Sequence, residues 1–156
     1  MTADVHYSDA LIRAILSSVR TIAMVGASAK LDRPSYSVMK FLQEKGYRVI
    51  PVNPGAAGQE ILGQAVYPDL KSIPEVIDMV DIFRNSEAVP PIVDDAIAIG
   101  AKVVWMQLGV RHDAAAEKAE AAGLRVVMDR CPKIEFGRLG GELGRRESQR
   151  LDHHQG

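Results

Sequence analysis

Short apolar runs alternate along the chain with segments in which apolar residues recur every three or four positions. Five of these runs are rich in β-branched residues and lack polar alternation, which is the pattern of strands buried on both faces of a parallel sheet. They cover residues 21–25, 48–52, 79–83, 102–106 and 125–128. A further short edge strand is expected near residues 65–67.

The segments between the runs have helical periodicity. Helices are predicted over residues 35–45, 88–99 and 113–122, the last with Asp113 as its N-cap. Ser8 is placed to cap an earlier helix, whose apolar face comprises Leu11, Ile12, Ile15, Leu16 and Val19. Residues 72–75, Ser-Ile-Pro-Glu, have the form of a capping box and predict one more short helix.

One junction recurs three times where a helical pattern gives way to a strand. Gly46, Gly100 and Gly123 are each followed by a spacer, a basic residue and two β-branched residues. A glycine can adopt the left-handed conformation that ends a helix, and a basic residue complements the negative helix end. The repetition predicts alternating helices and strands joined by right-handed crossovers.

This alternation predicts an α/β fold: three layers, Rossmann-like and doubly wound, with a mainly parallel sheet of five or six strands and helices on both faces. Residues 1–19 are expected to form a helix packed on the domain, which spans residues 20–136. Residues 137–156 are glycine-rich and then charged, and they predict a polar, flexible tail.

Composition narrows the choice of partners. The 156 residues carry a net charge of −1 and only 5% aromatic residues, which argues against binding of nucleic acid. Cys131 is the sole cysteine, so internal disulfides are excluded and a reducing compartment is favoured. No apolar run reaches membrane-spanning length and the N-terminus lacks a signal-peptide pattern, so we expect a cytoplasmic protein without membrane association.

The loop after the first strand, residues 25–37, has the composition of a phosphate-binding loop. Gly26 permits close backbone approach, Ser28 and Ser35 offer hydroxyls, and Lys30 and Arg33 offer positive charge. A helix begins near Ser35, and its first N–H groups point toward the loop. The alternative is a polar connecting loop in which a serine only caps the helix.

The loop departs from the usual dinucleotide fingerprint. Gly26 is the only glycine of the three that G-x-G-x-x-G requires, and Ser28 takes the second position. The acidic residue that binds ribose hydroxyls at the end of the second strand is also missing, because Val52 is followed by Asn53. Both features weigh against NAD or FAD.

Other strand ends bring chemistry to the same edge of the predicted sheet. Arg84 could pair with a phosphate or form a surface ion pair, and Ser86 is placed to cap the next helix. The side chain of Gln107 and the backbone around Gly109 could bind an adenine or a pantetheine amide. Cys131 follows the last strand, where it could form a mixed disulfide with a thiol ligand or be an inert structural thiol. A catalytic role would require His112, which is distant in the sequence, to approach it in space.

Catalytic and metal motifs are missing from the sequence. His6 and His112 are isolated, zinc-ligand spacing is absent, and no nucleophile elbow occurs. We therefore predict no catalytic residues and no metal site.

Six sequence blocks resemble a known family. They are Val-Gly-Ala-Ser at 25–28, Asp-Arg-Pro-Ser-Tyr at 32–36, Gly-Tyr-Arg-Val-Ile-Pro-Val-Asn-Pro at 46–54, Asp-Ile-Phe-Arg at 81–84, Trp-Met-Gln-Leu-Gly at 105–109 and Met-Asp-Arg-Cys at 128–131. In this order they resemble the small bacterial and archaeal coenzyme A-binding proteins, which are similar to the N-terminal domain of the succinyl-CoA synthetase α subunit. The resemblance covers about three quarters of the chain.

The resemblance implies that coenzyme A lies across the carboxyl ends of the strands. The implied contact residues, matched by position, are Gly26, Ala27, Ser28, Arg33, Ser35, Tyr36, Val52, Asn53, Phe83, Arg84, Asn85, Gln107, Leu108 and Gly109. The full synthetases also use a phosphorylated histidine in a later domain, and this chain ends before any such domain. The expected function is therefore binding of coenzyme A or acyl-CoA without chemistry, as a sensor, carrier or regulatory subunit.

Two alternatives remain open at this stage. The chain could belong to an acyl-CoA ligase, or it could be an NAD(P)-dependent redox subunit. Assembly as a homo-oligomer or with a partner enzyme subunit is compatible with each of these functions.

Overall fold

Helices and strands alternate along the chain as the hydrophobic pattern predicts. A computed structural model describes residues 6–140. The elements are α1 (Asp9–Ser18), β1 (Thr21–Val25), α2 (Pro34–Glu44), β2 (Arg48–Val52), β3 (Glu60–Ile61), β4 (Gln64–Ala65), β5 (Met79–Ile82), α3 (Val89–Ala98), β6 (Val103–Met106), α4 (Asp113–Ala121), β7 (Arg125–Val127) and α5 (Pro132–Arg138).

Five strands form one parallel sheet in the order β2-β1-β5-β6-β7. The chain moves outward from β1 to β2 and then returns to place β5 on the other side of β1. This order is that of a doubly wound, Rossmann-like α/β fold, whose strand order reverses between β1 and β5. The predicted fold class is confirmed, with five strands in the main sheet.

Successive residues of each strand enter different cores on the two faces of the sheet. Ile22 and Met24 of β1 pack with α1, α2 and α5, whereas Ala23 and Val25 pack with α3 and α4. This division explains why the strands read as continuous apolar runs, because both faces are covered by helices. The helices contribute residues such as Ile12 and Met39 to the first core, and both are fully buried.

The three predicted helix-to-strand junctions are present. Gly46, Gly100 and Gly123 have φ angles of 95°, 77° and 94°, values that glycine adopts readily. Each follows the last turn of a helix and leads into β2, β6 or β7.

The structure differs from two local predictions made from the sequence. Residues 72–75 form no helix: Asp69 accepts a hydrogen bond from the Ser72 N–H at 2.8 Å, so Asp69 closes a turn there. Pro74 supplies no backbone N–H, and Ile77 anchors the segment in the core. The edge strand expected near residues 65–67 appears as the β3–β4 hairpin, from which Tyr67 pairs in parallel with Val52.

The C-terminal helix reaches beyond residue 136, where the sequence placed the end of the domain. Helix α5 ends at Arg138, whose guanidinium contacts Glu135 and Asp9, and Leu139 is buried. Residues 137–140 therefore pack with the domain, and the remainder of the expected tail, 141–156, lies outside the described residues. Between residues 6 and 140, no helix is both long and apolar enough to cross a bilayer.

Candidate functional site

A cleft of about 610 Å³ opens at the carboxyl edge of the sheet. It lies at the reversal of strand order, where doubly wound proteins bind their ligands. Its walls come from the segments that follow β1, β2, β5 and β6. The lining residues are Gly26, Ser28, Lys30, Arg33, Pro34, Ser35, Asn53, Phe83, Arg84, Gln107, Leu108 and Val110.

Gly26 forms the floor, where β1 ends beside β5. Its φ angle is 89°, and its N–H donates to the Val52 carbonyl at 2.9 Å. A Cβ at this position would lie 2.4 Å from the Phe83 carbonyl oxygen and 3.0 Å from Cδ of Arg84. Only glycine fits this position, because both the backbone angle and the space exclude a side chain.

The loop above the floor is held by its own side chains. The Ser28 N–H donates to Oγ of Ser35, and the Lys30 N–H donates to Oγ of Ser28, both at 3.1 Å. A turn closes from the Arg33 N–H to the Lys30 carbonyl at 3.1 Å. Pro34 occupies the first turn of α2, and Arg33 at the N-cap makes no side-chain hydrogen bond to the helix. The N-terminus of α2 therefore faces the cleft without a side-chain cap.

Three cationic side chains border the cleft. Lys30, Arg33 and Arg84 are exposed, and none forms an ion pair within residues 6–140. No carboxylate belongs to the lining. This combination, next to a helix N-terminus, attracts an anionic ligand.

Asn53 fixes the end of β2 against the loop after β1. Its Nδ2 donates to the Ala27 carbonyl and its Oδ1 accepts from the Gly55 N–H, each at 2.9 Å. The amide thus joins the loop after β1 to the turn after β2. Val52 precedes Asn53 as the last residue of β2.

The opposite wall follows β6. Gln107 is 7% exposed, and its Oε1 is buried without a hydrogen-bond partner among the described residues. Leu108 is 52% exposed, whereas the Gly109 N–H donates to Oδ1 of Asp129 at 2.7 Å. Gln107 therefore has a buried amide oxygen that no group among the described residues satisfies.

Ten of the residues predicted from the sequence line the cleft, and six others do not: Ala27, Tyr36, Val52, Asn85, Gly109 and Cys131. Oδ1 of Asn85 accepts from the Ala88 N–H, so Asn85 caps the next turn, the role expected of Ser86. Oγ of Ser86 instead accepts from the Arg111 N–H. Pro34 and Val110 line the cleft and were missed, although each adjoins a predicted site residue.

Asp81 lies two residues before Phe83, within β5. It is fully buried between Met24 and Trp105 of the neighbouring strands, and neither carboxylate oxygen has a hydrogen-bond partner within residues 6–140. Burial raises the pKa of this carboxyl well above its ordinary value, because desolvation disfavours the charged form. The apolar run 79–83 predicts a buried strand, but nothing in the sequence indicates that the carboxyl within it is left without a partner among the described residues.

The fold and the cleft define an α/β domain of the doubly wound, Rossmann-like class, in which the loop after β1 lacks the dinucleotide glycine pattern. The chain belongs to the family of CoA-binding domains, since the family model of the CoA binding domain matches residues 20–137. The family resemblance predicted from the sequence is confirmed.

Two relatives cover most of the chain. It is 39% identical over 127 residues to the uncharacterized protein YneT of Bacillus subtilis, which covers 81% of this chain and 93% of that protein. A solved structure of a hypothetical protein from Pyrococcus horikoshii is 41% identical, with a TM-score of 0.83, and the match covers 90% of this chain and 100% of that one.

A more distant relative is an enzyme subunit. The chain is 36% identical over 93 residues to subunit alpha of the ADP-forming acetate–CoA ligase I of Pyrococcus furiosus. The match covers 57% of this chain and 20% of the subunit. The chain therefore corresponds to a small part of that subunit.

The position of Cys131 leads to a prediction about its reactivity. The thiol is 6% exposed, at the N-cap of α5 and within the core that contains Trp105. We expect Ellman's reagent to modify it far more slowly in the native protein than in denaturant, because the residue must first be uncovered. Rapid formation of a native coenzyme A adduct, seen by intact mass spectrometry, would contradict this and favour thiol capture.

Proposed function

We propose that this protein binds coenzyme A or an acyl-CoA in the cleft and catalyses no reaction on it. Three cations that form no ion pair within residues 6–140 lie around a helix N-terminus at the strand reversal, and no carboxylate belongs to the lining. This observation carries the proposal. Coenzyme A brings a pyrophosphate and a further phosphate, and such a cleft offers them both backbone dipoles and positive charge.

Each part of the lining has a role in this proposal. The pyrophosphate lies over Gly26, where no side chain blocks its approach, and Lys30 and Arg33 approach it from the loop. Arg84 supplies positive charge from the end of β5. Gln107 lines the cleft after β6, and its side-chain amide is assigned to the adenine or to the pantetheine arm.

The lining favours coenzyme A over a nicotinamide cofactor. A dinucleotide site holds the ribose hydroxyls with an acidic residue after the second strand. Asn53 stands at that position, and both ends of its amide already bind backbone groups of the protein. The redox alternative therefore lacks its usual ribose acceptor.

Binding without catalysis is supported by the chemistry of the lining. It contains no histidine, cysteine or carboxylate, and thus no side chain suited to act as a general base near neutral pH. A sensor, a carrier or a regulatory subunit fits this description. The likeness to subunit alpha of an acetate–CoA ligase favours a second candidate, in which a separate protein supplies the catalytic groups.

The test of the proposal is the affinity of the Arg33→Ala variant. We expect isothermal titration calorimetry to show coenzyme A binding to the wild type, weakened about tenfold by loss of one charge-assisted contact. Arg125→Ala is the control, because Arg125 is also exposed but begins β7 at the amino edge of the sheet. The Arg125→Ala variant should bind coenzyme A with the same affinity as the wild type.

Two results would count against the proposal. Equal affinity in the Arg33→Ala variant and the wild type would remove Arg33 from the site. Binding of NADH, with none of coenzyme A, would favour the redox alternative.

Increasing salt should weaken coenzyme A binding to the wild type more than to the Arg33→Ala variant, because the variant has one fewer positive charge to be screened.

A further inference from the structure

Asp129 has a backbone conformation that residues other than glycine rarely adopt. Within residues 6–140, two residues other than glycine have a positive φ: Asp129 at 57° and Leu62 at 49°. Leu62 lies in the tight turn of the β3–β4 hairpin, where a positive φ matches the twist of the strands. Asp129 lies in no hairpin, because it follows the end of β7 and precedes α5. Its backbone angle therefore needs a different explanation.

Two hydrogen bonds join Asp129 to the segment that follows β6. The Gly109 N–H donates to Oδ1 of Asp129 at 2.7 Å, and the Asp129 N–H donates to the Val110 carbonyl at 3.1 Å. We call this pair of hydrogen bonds the Asp129 clasp. A strained backbone conformation persists only where the surrounding contacts determine it, and the clasp supplies such contacts.

The segment held by the clasp forms the wall of the cleft after β6. It is a turn from Gln107 to Val110, closed by the Val110 N–H on the Gln107 carbonyl at 2.8 Å. Gln107 and Val110 both line the cleft, and each is 7% exposed. On the side of β5, the Gln107 N–H donates to the Ile82 carbonyl at 3.1 Å. The clasp holds the turn from the opposite side, that of β7.

Asp129 itself does not line the cleft. It belongs to the block Met-Asp-Arg-Cys at 128–131, one of the six that resemble the coenzyme A-binding proteins. Each of the other five blocks supplies at least one residue to the lining, whereas this block supplies none. Any effect of Asp129 on a ligand in the cleft must therefore act through the wall.

We propose that Asp129 is a positioning residue of the ligand site, whose clasp fixes Gln107 and Val110 in the cleft wall. This inference rests on the proposed function, which assigns the Gln107 amide to the adenine or the pantetheine arm of coenzyme A. Without the carboxylate, the Gly109 N–H loses its acceptor and the turn is freer to move. A freer wall binds the ligand more weakly, because its position must then be fixed on binding.

Three substitutions of Asp129 separate the effect of the carboxylate from that of the strained backbone. Asp129→Asn keeps an acceptor oxygen and tolerates a positive φ, so calorimetry should show coenzyme A affinity within about twofold of the wild type. Asp129→Gly adopts the backbone angle without strain but has no acceptor, and Asp129→Ala has the strain and no acceptor. Both should bind coenzyme A roughly fivefold to tenfold more weakly, although Asp129→Gly should resist urea better than Asp129→Ala.

Asp78→Ala is the matched control for loss of a carboxylate that binds backbone N–H groups. Oδ2 of Asp78 accepts from the N–H groups of Arg20 and Thr21, at 2.9 and 3.0 Å, at the amino edge of the sheet. The control should lower stability and leave coenzyme A affinity unchanged. If it weakened binding as much as Asp129→Gly does, general loss of stability would explain both results and the inference would fail.

Double variants test whether Asp129 acts through the wall. Asp129→Gly combined with Gln107→Ala should weaken binding by less than the product of the two single effects, because both changes disrupt the same wall. Combined with Arg33→Ala, on the side of α2, the effects should multiply. Full multiplication in the pair with Gln107→Ala would contradict an action through the wall.

The outcomes separate this inference from the function on which it rests. Equal coenzyme A affinity in Asp129→Gly and the wild type would overturn the inference and leave coenzyme A binding in place. Weak binding in Asp129→Asn would also overturn it, since that variant keeps the acceptor. Should Asp129→Ala fail to fold, the glycine and asparagine variants still decide the question. If the wild type does not bind coenzyme A, the proposed function fails as well.

Discussion

Replacing Gly26 with alanine is expected to abolish ligand binding and to lower the free energy of unfolding by about 2–5 kcal/mol. The left-handed φ of 89° strains any L-residue, and the new Cβ would lie 2.4 Å from the Phe83 carbonyl oxygen. That oxygen belongs to the backbone and cannot rotate away, so the end of β5 must shift. The shift would displace Phe83 and Arg84, which line the cleft.

Gly100→Ala is the matched control for this substitution. Gly100 has a similar φ of 77°, but a Cβ there would meet nothing within 4 Å. In the Gly100→Ala variant only the strained backbone angle should therefore lower the free energy of unfolding, by about 1–2 kcal/mol. Its ligand affinity should be unchanged. Urea unfolding and calorimetry measure the two effects. If the two variants had equal stability and equal affinity, the close approach of Gly26 to β5 would have no consequence.

The second large effect concerns Asp81, and it predicts stability that falls as the pH rises. Burial holds the pKa of this carboxyl well above its ordinary value of 3.8 in the folded protein, while the unfolded chain keeps the ordinary value. The stability contribution is therefore fully present below the ordinary pKa and is lost as the pH rises through the raised pKa. Across that window the loss from this one group approaches about 1.4 kcal/mol per pH unit.

The Asp81→Asn variant isolates this contribution. Asparagine has nearly the same shape and does not titrate, so the variant should be more stable than the wild type at pH 8, and this advantage should shrink toward pH 4. Glu75 and Asp113 act in the opposite direction, because Arg48 and Arg111 lower the pKa values of their carboxyls. Both groups are unchanged in the variant and cancel in the comparison.

Urea unfolding of both proteins between pH 4 and pH 8 provides the measurement. The difference in unfolding free energy should widen with pH. Parallel profiles would show that Asp81 is ionised in the fold and has a partner. Should Asp81→Asn fail to fold, the wild-type profile still tests the expectation above about pH 6, where the carboxyls of Glu75 and Asp113 are already ionised. Stability that rises with pH across that part of the profile would contradict the expectation.

The sequence predicted the architecture well because the fold depends on patterns that recur. The apolar runs of β1 and β5 can be buried on both faces only if helices cover both faces. The glycine junctions at Gly46, Gly100 and Gly123 then indicate where each helix ends. Ten residues that line the cleft were predicted, because the carboxyl ends of parallel strands meet at one edge.

The missed details depend on contacts between distant parts of the chain. Nothing local to Gly26 shows that the Phe83 carbonyl lies beside it, since 57 positions separate the two residues. Asn85 caps the turn in place of Ser86, because the Ser86 hydroxyl accepts a hydrogen bond from the distant Arg111 N–H. The burial of Asp81 follows from the apolar run around it, but the lack of a hydrogen-bond partner for its carboxyl, among the described residues, depends on the elements packed against β5.

The hydrogen bonds that join Ser28 to Ser35 and Asn53 to Ala27 bear on how fast a ligand is captured. They hold the loop after β1 in shape before a ligand binds, so little chain entropy remains to be lost on association. Encounter should then proceed in one kinetic phase at a rate governed by long-range attraction between opposite charges. Differences in residence time, and not in arrival rate, would distinguish good ligands from poor ones.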